Sequence, residues 1–244
     1  MHQKRICCPG GSEAIRYAGV YLSELGFEVL TAPDLGAAHL LLPVPSFPAS
    51  DAFLESALAG LSKDVCISGG NLDGRLERYR TVDFLKDPYY LAENAAITAE
   101  CAIEIAENKL SSSLEGCPIL IIGWGRIGKC LGKLFERKGA DVTIAARRES
   151  DRAMIRALGC RSISIEDASA ESTRYRVILN TVPQMILPDM AARADAVILE
   201  LASKPGMSGA NILDARGLPS KMAPATSGKL IAKTFIRLSL EKEV

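Results

Sequence analysis

The sequence predicts an α/β protein with a Rossmann-type doubly wound parallel sheet and a smaller N-terminal α/β lobe. Short apolar runs alternate with helical patterns along the 244 residues, which is typical of βαβ units. A glycine-rich turn joins an apolar run at 118–122 to an amphipathic stretch at 126–138. One long helical stretch separates two series of such units, so we expect two lobes.

The first series fills residues 1–90, the predicted N-terminal lobe. Its predicted strands are 4–8, 27–30, 39–42 and 65–68, and its predicted helices are 12–26 and 51–61. Gly26 ends the first helix, and Pro43, Pro45 and Pro48 mark a loop. We therefore expect a small sheet in this lobe.

A linking helix is predicted over 90–109, where alanines recur at helical spacing. It leads into the second predicted domain, 91–226. The predicted elements of that domain are strands 118–122, 142–145, 161–165, 177–180 and 196–199 and helices 126–138 and 149–158. A last helix at about 227–242 is expected to pack back on the N-terminal lobe, so the segment 227–244 is assigned to that lobe.

Composition and charge exclude several classes of function. The chain has 29 Lys+Arg and 29 Asp+Glu residues, so it has no global attraction to nucleic acids or anionic membranes. Its longest apolar runs are far shorter than the roughly 20 residues that cross a bilayer, and its start has no apolar stretch of signal-peptide length. The seven cysteines contain no CxxC pair, and only His2 and His39 could add imidazole ligands. We therefore expect a cytoplasmic protein without a metal site that acts on a small molecule.

The glycine-rich turn is the main chemical signal. It reads Gly123, Trp124, Gly125, Arg126, Ile127 and Gly128. This G-x-G-x-x-G pattern follows a strand and opens a helix, the context that indicates a dinucleotide-binding site rather than a turn without a ligand. Gly123 permits the tight turn, Gly125 lets a pyrophosphate approach the backbone, and Gly128 lets the helix lie close to the strand. The N–H groups at the helix start would hold the phosphate oxygens.

The tip of the next strand indicates which coenzyme binds. An NAD site usually has an acid there, bonded to the ribose 2′-hydroxyl. The segment 144–148 instead ends in Arg147 and Arg148, and it has no carboxylate. Because guanidinium groups pair with phosphate, we expect NADP, with Arg147 as the more direct contact. The alternative is that both arginines are ordinary solvated surface residues.

Three later segments are candidates for the rest of the site. They contain Asn180, Thr181, Val182 and Pro183 after one strand, Ala202, Ser203 and Lys204 after the next, and Lys221 and Thr226 in the segment 217–228. The first two segments are expected to line the ribose and nicotinamide, since ligands bind beyond strand ends in such sheets. Lys221 is expected to hold a substrate carboxylate, and Thr226 or Ser227 to cap the last helix. Plain turn capping by Asn180 and Thr181, and a plain loop at 217–228, remain equally good explanations.

Taken together, these motifs resemble the A-subunit family of dipicolinate synthase. The likeness rests on segments 94–100, 123–128, 145–148, 180–187, 201–206 and 217–228, and it covers about residues 80–235. It implies an NADP-dependent dehydrogenase subunit of bacterial spore formation that oxidises a dihydro- or hydroxytetrahydro-dipicolinate to dipicolinate. It also implies that the partner is a flavoprotein-like B subunit. The chain departs from the family in a shorter first lobe, in Ser220 where glycine is expected, and in Ala225 where lysine is expected.

The implied oxidation needs a hydride acceptor and a base for the ring proton. Glu100 in the linking helix is the first candidate for the base, although it is at least as well explained as a solvated helix charge. Lys204 and Lys221 would hold the two carboxylates of a dicarboxylate substrate. The remaining candidate substrate contacts are Asn94, Thr98 and Thr226.

Two other functions remain open. The chain could be a non-catalytic NADP-binding subunit that activates a partner, which the short first lobe would suit. It could also be an NADP-dependent oxidoreductase of another small carboxylic acid. A 2-hydroxy acid substrate is disfavoured because such enzymes usually need a catalytic histidine, and none follows His39. In each case we expect a homo-oligomer.

Overall fold

A computed structural model describes residues 5–45, 51–188 and 190–240 and divides the chain into two compact units. Unit 1 contains residues 1–94 and 219–244, and unit 2 contains residues 95–218. The boundaries predicted from the sequence lie after residues 90 and 226. Within the described ranges, no helix combines the length and apolar character that a membrane span requires.

Unit 1 is built on a five-stranded parallel sheet. Its strands are β1 (Arg5–Cys7), β2 (Glu28–Leu30), β3 (His39–Leu41), β4 (Cys66–Gly69) and β5 (Arg80–Asp83), and its first helices are α1 (Glu13–Glu24) and α2 (Asp51–Leu58). The strand order is β2-β1-β3-β4-β5, which is a doubly wound order. Helix α1 begins after Ser12, whose hydroxyl accepts a hydrogen bond from the N–H of Ile15 (3.3 Å).

A 22-residue helix, α3 (Pro88–Lys109), passes from unit 1 into unit 2. Asp87 precedes it, and its carboxylate accepts a hydrogen bond from the N–H of Tyr90 (2.7 Å). The buried side of α3 is made largely of small residues, including Ala99, Ala102 and Ala106. Small side chains allow a close approach of neighbouring elements, which explains the alanine spacing in the sequence.

Unit 2 is a six-stranded parallel sheet with the Rossmann strand order. Its elements are β6 (Pro118–Ile122), α4 (Arg126–Arg137), β7 (Asp141–Ala145), α5 (Glu149–Ala157), β8 (Arg161–Ile163), α6 (Ile165–Glu171), β9 (Val177–Asn180), β10 (Val197–Glu200) and β11 (Ile212–Asp214). The order β8-β7-β6-β9-β10-β11 reverses direction between β6 and β9. Ligands bind outside the carboxyl ends of the strands at such a reversal. The predicted fold class is confirmed.

Among the predicted element ends that differ from the structure, two have a local explanation in the residues at the helix starts. Strand β8 ends at Ile163 rather than 165, because Ser164 caps α6 by accepting from the N–H of Asp167 (3.1 Å). The last helix, α8, begins at Pro224, just after the short helix α7 (Leu218–Met222). Its N-cap residue is Ala223, so neither Thr226 nor Ser227 caps it. Proline at the first helical position supplies a preset φ angle instead.

Helix α8 (Pro224–Phe235) packs against α1 within unit 1. A Cβ on Gly228 would overlap the backbone of α1 at Ala14, so only glycine permits this approach. A π-helical turn, Ile236–Leu240, follows, and its Arg237 pairs with the carboxylate of Asp87 (2.5 Å). This ion pair ties the C-terminal segment to the start of α3.

Candidate functional site

The turn after β6 is shaped by close contacts of the backbone. Gly123 has a φ angle of +107°, a conformation that favours glycine. Its N–H donates to the carbonyl oxygen of Ala145 at the end of β7 (2.9 Å). A Cβ on Gly128 would overlap the carbonyl oxygen of Gly123, so α4 can cross the turn this closely only with glycine at that position. The roles proposed for these two glycines therefore have a geometric basis.

The N-terminus of α4 is open to a ligand. Its N-cap is Gly125, and no side chain of the described residues caps the helix. The first helical hydrogen bond runs from the N–H of Lys129 to the carbonyl of Gly125 (3.0 Å), so the preceding N–H groups of the first turn have no intrahelical acceptor. A Cβ built on Gly125 would have no atom of the described chain within 4 Å. This exposed end of a helix dipole fits a diphosphate group.

The other residues of the turn differ in how they face this opening. The ring of Trp124 lies back along α4, with the Lys129 ammonium 5.7 Å from its centre. It lines a groove of about 330 Å³ together with Met154 and Leu158 of the α5 region. Trp124 therefore contributes its backbone to the turn, while its side chain packs on the helix. Arg126 is exposed at the first position of α4.

The tip of β7 carries a net positive charge. Arg147 and Arg148 are both exposed, and Arg152 donates from Nη1 to the carbonyl oxygens of Ala146 (2.8 Å) and Arg147 (2.9 Å). Glu149 follows directly, but its carboxylate is already bound by guanidinium groups. The hydrogen bond from Arg156 contributes most to lowering the pKa of Glu149, and the hydrogen bond from Arg152 contributes next. The backbone of this tip is thus tied down, and its two exposed arginines remain beside a neutralised acid.

Buried polar groups meet where β9 and β10 end. Asn180 and Glu200 are register partners on these parallel strands, and they are only 0% and 4% exposed. The Asn180 amide donates to both carboxylate oxygens of Glu200 (2.8 and 3.1 Å) and to the carbonyl of Val182 (3.1 Å). Its Oδ1 accepts from the N–H of Val182 (3.0 Å). Both polar atoms of the Asn180 side chain therefore have hydrogen-bond partners within the protein.

Thr181 joins the ends of β9 and β6. Both its N–H and its hydroxyl donate to the carbonyl oxygen of Ile122, each at 2.9 Å. A Cβ on Gly123 would overlap this hydroxyl, so Thr181 also borders the glycine turn. These hydrogen bonds support the explanation that Asn180 and Thr181 cap the turn, which the sequence left open. Val182 is half-buried and Pro183 is exposed beyond them.

Sequence reasoning missed Glu200. Its carboxylate also accepts hydrogen bonds from the N–H groups of Ala202 (3.1 Å), Gly206 (2.8 Å) and Met207 (3.3 Å). The signal available in the sequence was an acid at the end of a buried apolar strand, next to another strand that ends in Asn180. Of the predicted residues in this loop, Ala202 is buried, whereas Ser203 and Lys204 are exposed.

The candidate catalytic residues are distributed over both units. Glu100 is exposed on the part of α3 in unit 2, and its charge adds to burial in raising the pKa of Cys130 on α4. Thr98, on the same part of α3, is buried with 5% exposure. The residues assigned to unit 1 are Asn94, which is half-buried, and Lys221 and Thr226, which are exposed.

The chain is similar to known proteins in sequence and in fold. The A subunit of dipicolinate synthase from Bacillus subtilis (strain 168) is 28% identical over 159 residues, which are 61% of this chain and 54% of that relative. The aligned sequence therefore spans about half the length of the relative (54%). No protein-family model matches the chain. The resemblance recognised in the sequence motifs is confirmed by this match.

Solved structures share the fold. The crystal structure of the A subunit of dipicolinate synthase from Bacillus halodurans superposes with a TM-score of 0.80 at 19% identity, covering 97% of this chain and 98% of that one. A transhydrogenase structure from Sinorhizobium meliloti gives a TM-score of 0.73 at 14% identity, with 99% and 94% covered. These structural likenesses show the fold that the chain shares with both proteins.

Proposed function

We propose that this chain is an NADP-dependent dehydrogenase subunit that oxidises a dihydro- or hydroxytetrahydro-dipicolinate to dipicolinate. The observation that carries the coenzyme assignment is the open N-terminus of α4 at Gly125, beside the strand reversal of the unit 2 sheet. The similarity to the A subunit of dipicolinate synthase supports the substrate assignment. The designation of that relative as one subunit of an enzyme supports a partner, for which we propose a flavoprotein-like B subunit.

The arginines at the tip of β7 support NADP over NAD. A carboxylate at this place would repel a 2′-phosphate, whereas Arg147 and Arg148 can pair with it. The acid closest in sequence, Glu149, is occupied by Arg152 and Arg156. It therefore leaves the positive charge of the two exposed arginines available to the phosphate.

The proposed reaction removes two hydrogens from a dihydropyridine ring. One leaves as a hydride and one as a proton, which produces the aromatic pyridine; a hydroxytetrahydro substrate also loses one water. The coenzyme supplies the hydride acceptor when it is bound. For the proton we propose Glu100, an exposed carboxylate. Lys204 and Lys221 would each attract a substrate carboxylate, and Asn94, Thr98 and Thr226 are proposed as further substrate contacts.

Titration calorimetry with NADP⁺ and NAD⁺ tests the coenzyme assignment. Wild type should bind NADP⁺ more tightly, and Arg147→Asp should invert that preference because a carboxylate repels the 2′-phosphate but accepts from the 2′-hydroxyl. Arg137→Asp makes the same charge change at the exposed far end of α4 and should leave the preference unchanged. An unaltered preference in Arg147→Asp would rule out the proposed contact between Arg147 and the 2′-phosphate. If wild type bound neither coenzyme, the proposed function would be ruled out.

Turnover of a dihydrodipicolinate mixture with NADP⁺ tests the reaction. Production of NADPH should be lost in Glu100→Gln while NADP⁺ affinity is kept, because the carboxylate acts on the substrate proton only. Glu104→Gln changes another exposed carboxylate of α3 and serves as the matched control. Full activity of Glu100→Gln would reject the base assignment. Tight NADP⁺ binding without turnover, even in the presence of the flavoprotein-like partner, would favour a non-catalytic subunit.

A further inference from the structure

Glu200 is a buried carboxylate with neutral hydrogen-bond partners. Its donors among the described residues are the amide of Asn180 and the N–H groups of Ala202, Gly206 and Met207. Burying an ionised carboxylate costs free energy, which these hydrogen bonds offset in part. The pKa of Arg216 is raised mainly by its hydrogen bond to Asp214 and in part by the charge of Glu200, so this guanidinium, shared with Asp214, balances only part of the buried charge. Both carboxylate oxygens accept N–H groups, so the position suits an acceptor-only side chain, and the loops are held together by a group that carries its charge into the interior.

The position of Glu200 in the sheet indicates which part of a bound coenzyme its charge would act on. A Rossmann sheet consists of two mononucleotide-binding halves, here β6–β8 and β9–β11. The exposed arginines lie at the tip of β7 in the first half, which assigns the adenosine side to that half. The nicotinamide side then falls on the second half, and Glu200 ends its central strand, β10.

Glu200 also brings two loops together. Gly206, whose N–H it accepts, uses its own carbonyl to accept from the N–H groups of Ile186 (2.9 Å) and Leu187 (3.1 Å). The space that a Cβ on Gly206 would need is filled by the Asn180 amide and by the backbone at Val182. The carboxylate therefore sets the separation between the loop after β9 and the loop after β10.

We propose that Glu200 is a positioning residue that holds these two loops together and whose fixed charge favours the oxidised, cationic nicotinamide over the neutral reduced one. The inference rests on the proposed NADP-dependent function. A single charge surrounded by buried groups acts over several ångströms, because little water screens it. A preference for the oxidised coenzyme suits an enzyme that must take up NADP⁺ and release NADPH.

The test compares the dissociation constants of NADP⁺ and NADPH without substrate. Trp124, the only tryptophan, lies in the coenzyme-binding turn, so its fluorescence should report binding. Glu200→Gln should weaken NADP⁺ binding more than NADPH binding, shifting the ratio of the two constants by about three- to tenfold. Glu115→Gln removes an exposed carboxylate that precedes β6 and should leave both constants unchanged. A merely structural role would weaken both coenzymes equally.

A charge swap keeps the test decisive if Glu200→Gln does not fold. Asn180→Asp/Glu200→Gln retains one carboxylate and one amide on the same pair of register partners. Its ratio should stay within about twofold of wild type, because the charge moves only to the neighbouring strand. Two results would overturn this inference and leave the proposed function standing. One is a folded Glu200→Gln protein whose ratio of NADP⁺ to NADPH dissociation constants equals that of wild type. The other is a swap variant whose ratio is shifted threefold in favour of NADPH. Failure of wild type to bind either coenzyme overturns the proposed function and this inference with it.

Discussion

The turn after β6 and the loop after β10 lie at the same edge of one sheet, but they are held in opposite ways. The turn depends on missing side chains, since a Cβ on Gly128 would overlap the carbonyl of Gly123. The loop depends on one buried side chain, the carboxylate of Glu200, which accepts three backbone N–H groups. The turn therefore tolerates no added atom at Gly128, and the loop tolerates no loss of the Glu200 acceptor.

The turn after β6 and the loop after β10 also differ in whether they can bind an anion. The first N–H groups of α4 have no acceptor within the helix, and no described side chain caps them. The N–H groups of Ala202, Gly206 and Met207 are already satisfied by Glu200. A phosphate therefore suits the turn, whereas a substrate carboxylate near the loop would have to rely on exposed side chains such as Lys204.

The largest effect is expected from Gly128→Ala. The new Cβ meets backbone rather than a movable side chain, so the turn or α4 has to shift. Overpacking of this kind costs about 1–3 kcal/mol in the free energy of unfolding, measurable by urea denaturation. Coenzyme affinity should fall by more than about 100-fold, because the N–H groups lose their alignment. Wild-type stability together with wild-type affinity would show that the turn is not packed as described.

Gly125→Ala should separate binding from folding at the same turn. A Cβ there has no atom of the described ranges within 4 Å, and the backbone angles (φ −81°, ψ −166°) suit alanine. The free energy of unfolding should stay within about 0.5 kcal/mol of wild type. Calorimetry should show coenzyme affinity lowered by about tenfold or more, because the methyl group occupies the approach of the diphosphate. Unchanged affinity would place the ligand away from Gly125.

The sequence predicts the core of unit 2 because its signals are local. Strand β6 is an apolar run buried from Ile119 onward, β9 is a buried apolar run up to Leu179, and both strands occur at the predicted residues 118–122 and 177–180. Strands β5 and β11 were missed because their residues are exposed or only half-buried, so no apolar run marks them. Both lie at a sheet edge, where one partner strand supplies the hydrogen bonds that the side chains do not signal.

The candidate site divides in the same manner. The turn at 123–128 is a contiguous motif, so its strand–turn–helix context can be predicted from the sequence. The pairing of Asn180 with Glu200 depends instead on the register of β9 and β10, which join residues 20 positions apart. The same holds for Arg152, whose bonds to two carbonyls depend on how α5 begins. Such contacts follow from tertiary structure, which residue spacing alone does not determine.

The smallest effect is expected at Thr181, which joins the two regions. Thr181→Val keeps the shape of the side chain and the backbone N–H bond to Ile122 but removes the hydroxyl bond to the same carbonyl. Losing one such bond should lower the free energy of unfolding by about 0.5–1.5 kcal/mol and change coenzyme affinity by less than about threefold. Thr181→Ser retains the hydroxyl and is the matched control. A loss of affinity beyond about tenfold at unchanged stability would mean that the hydroxyl binds the coenzyme instead of holding β9 against β6.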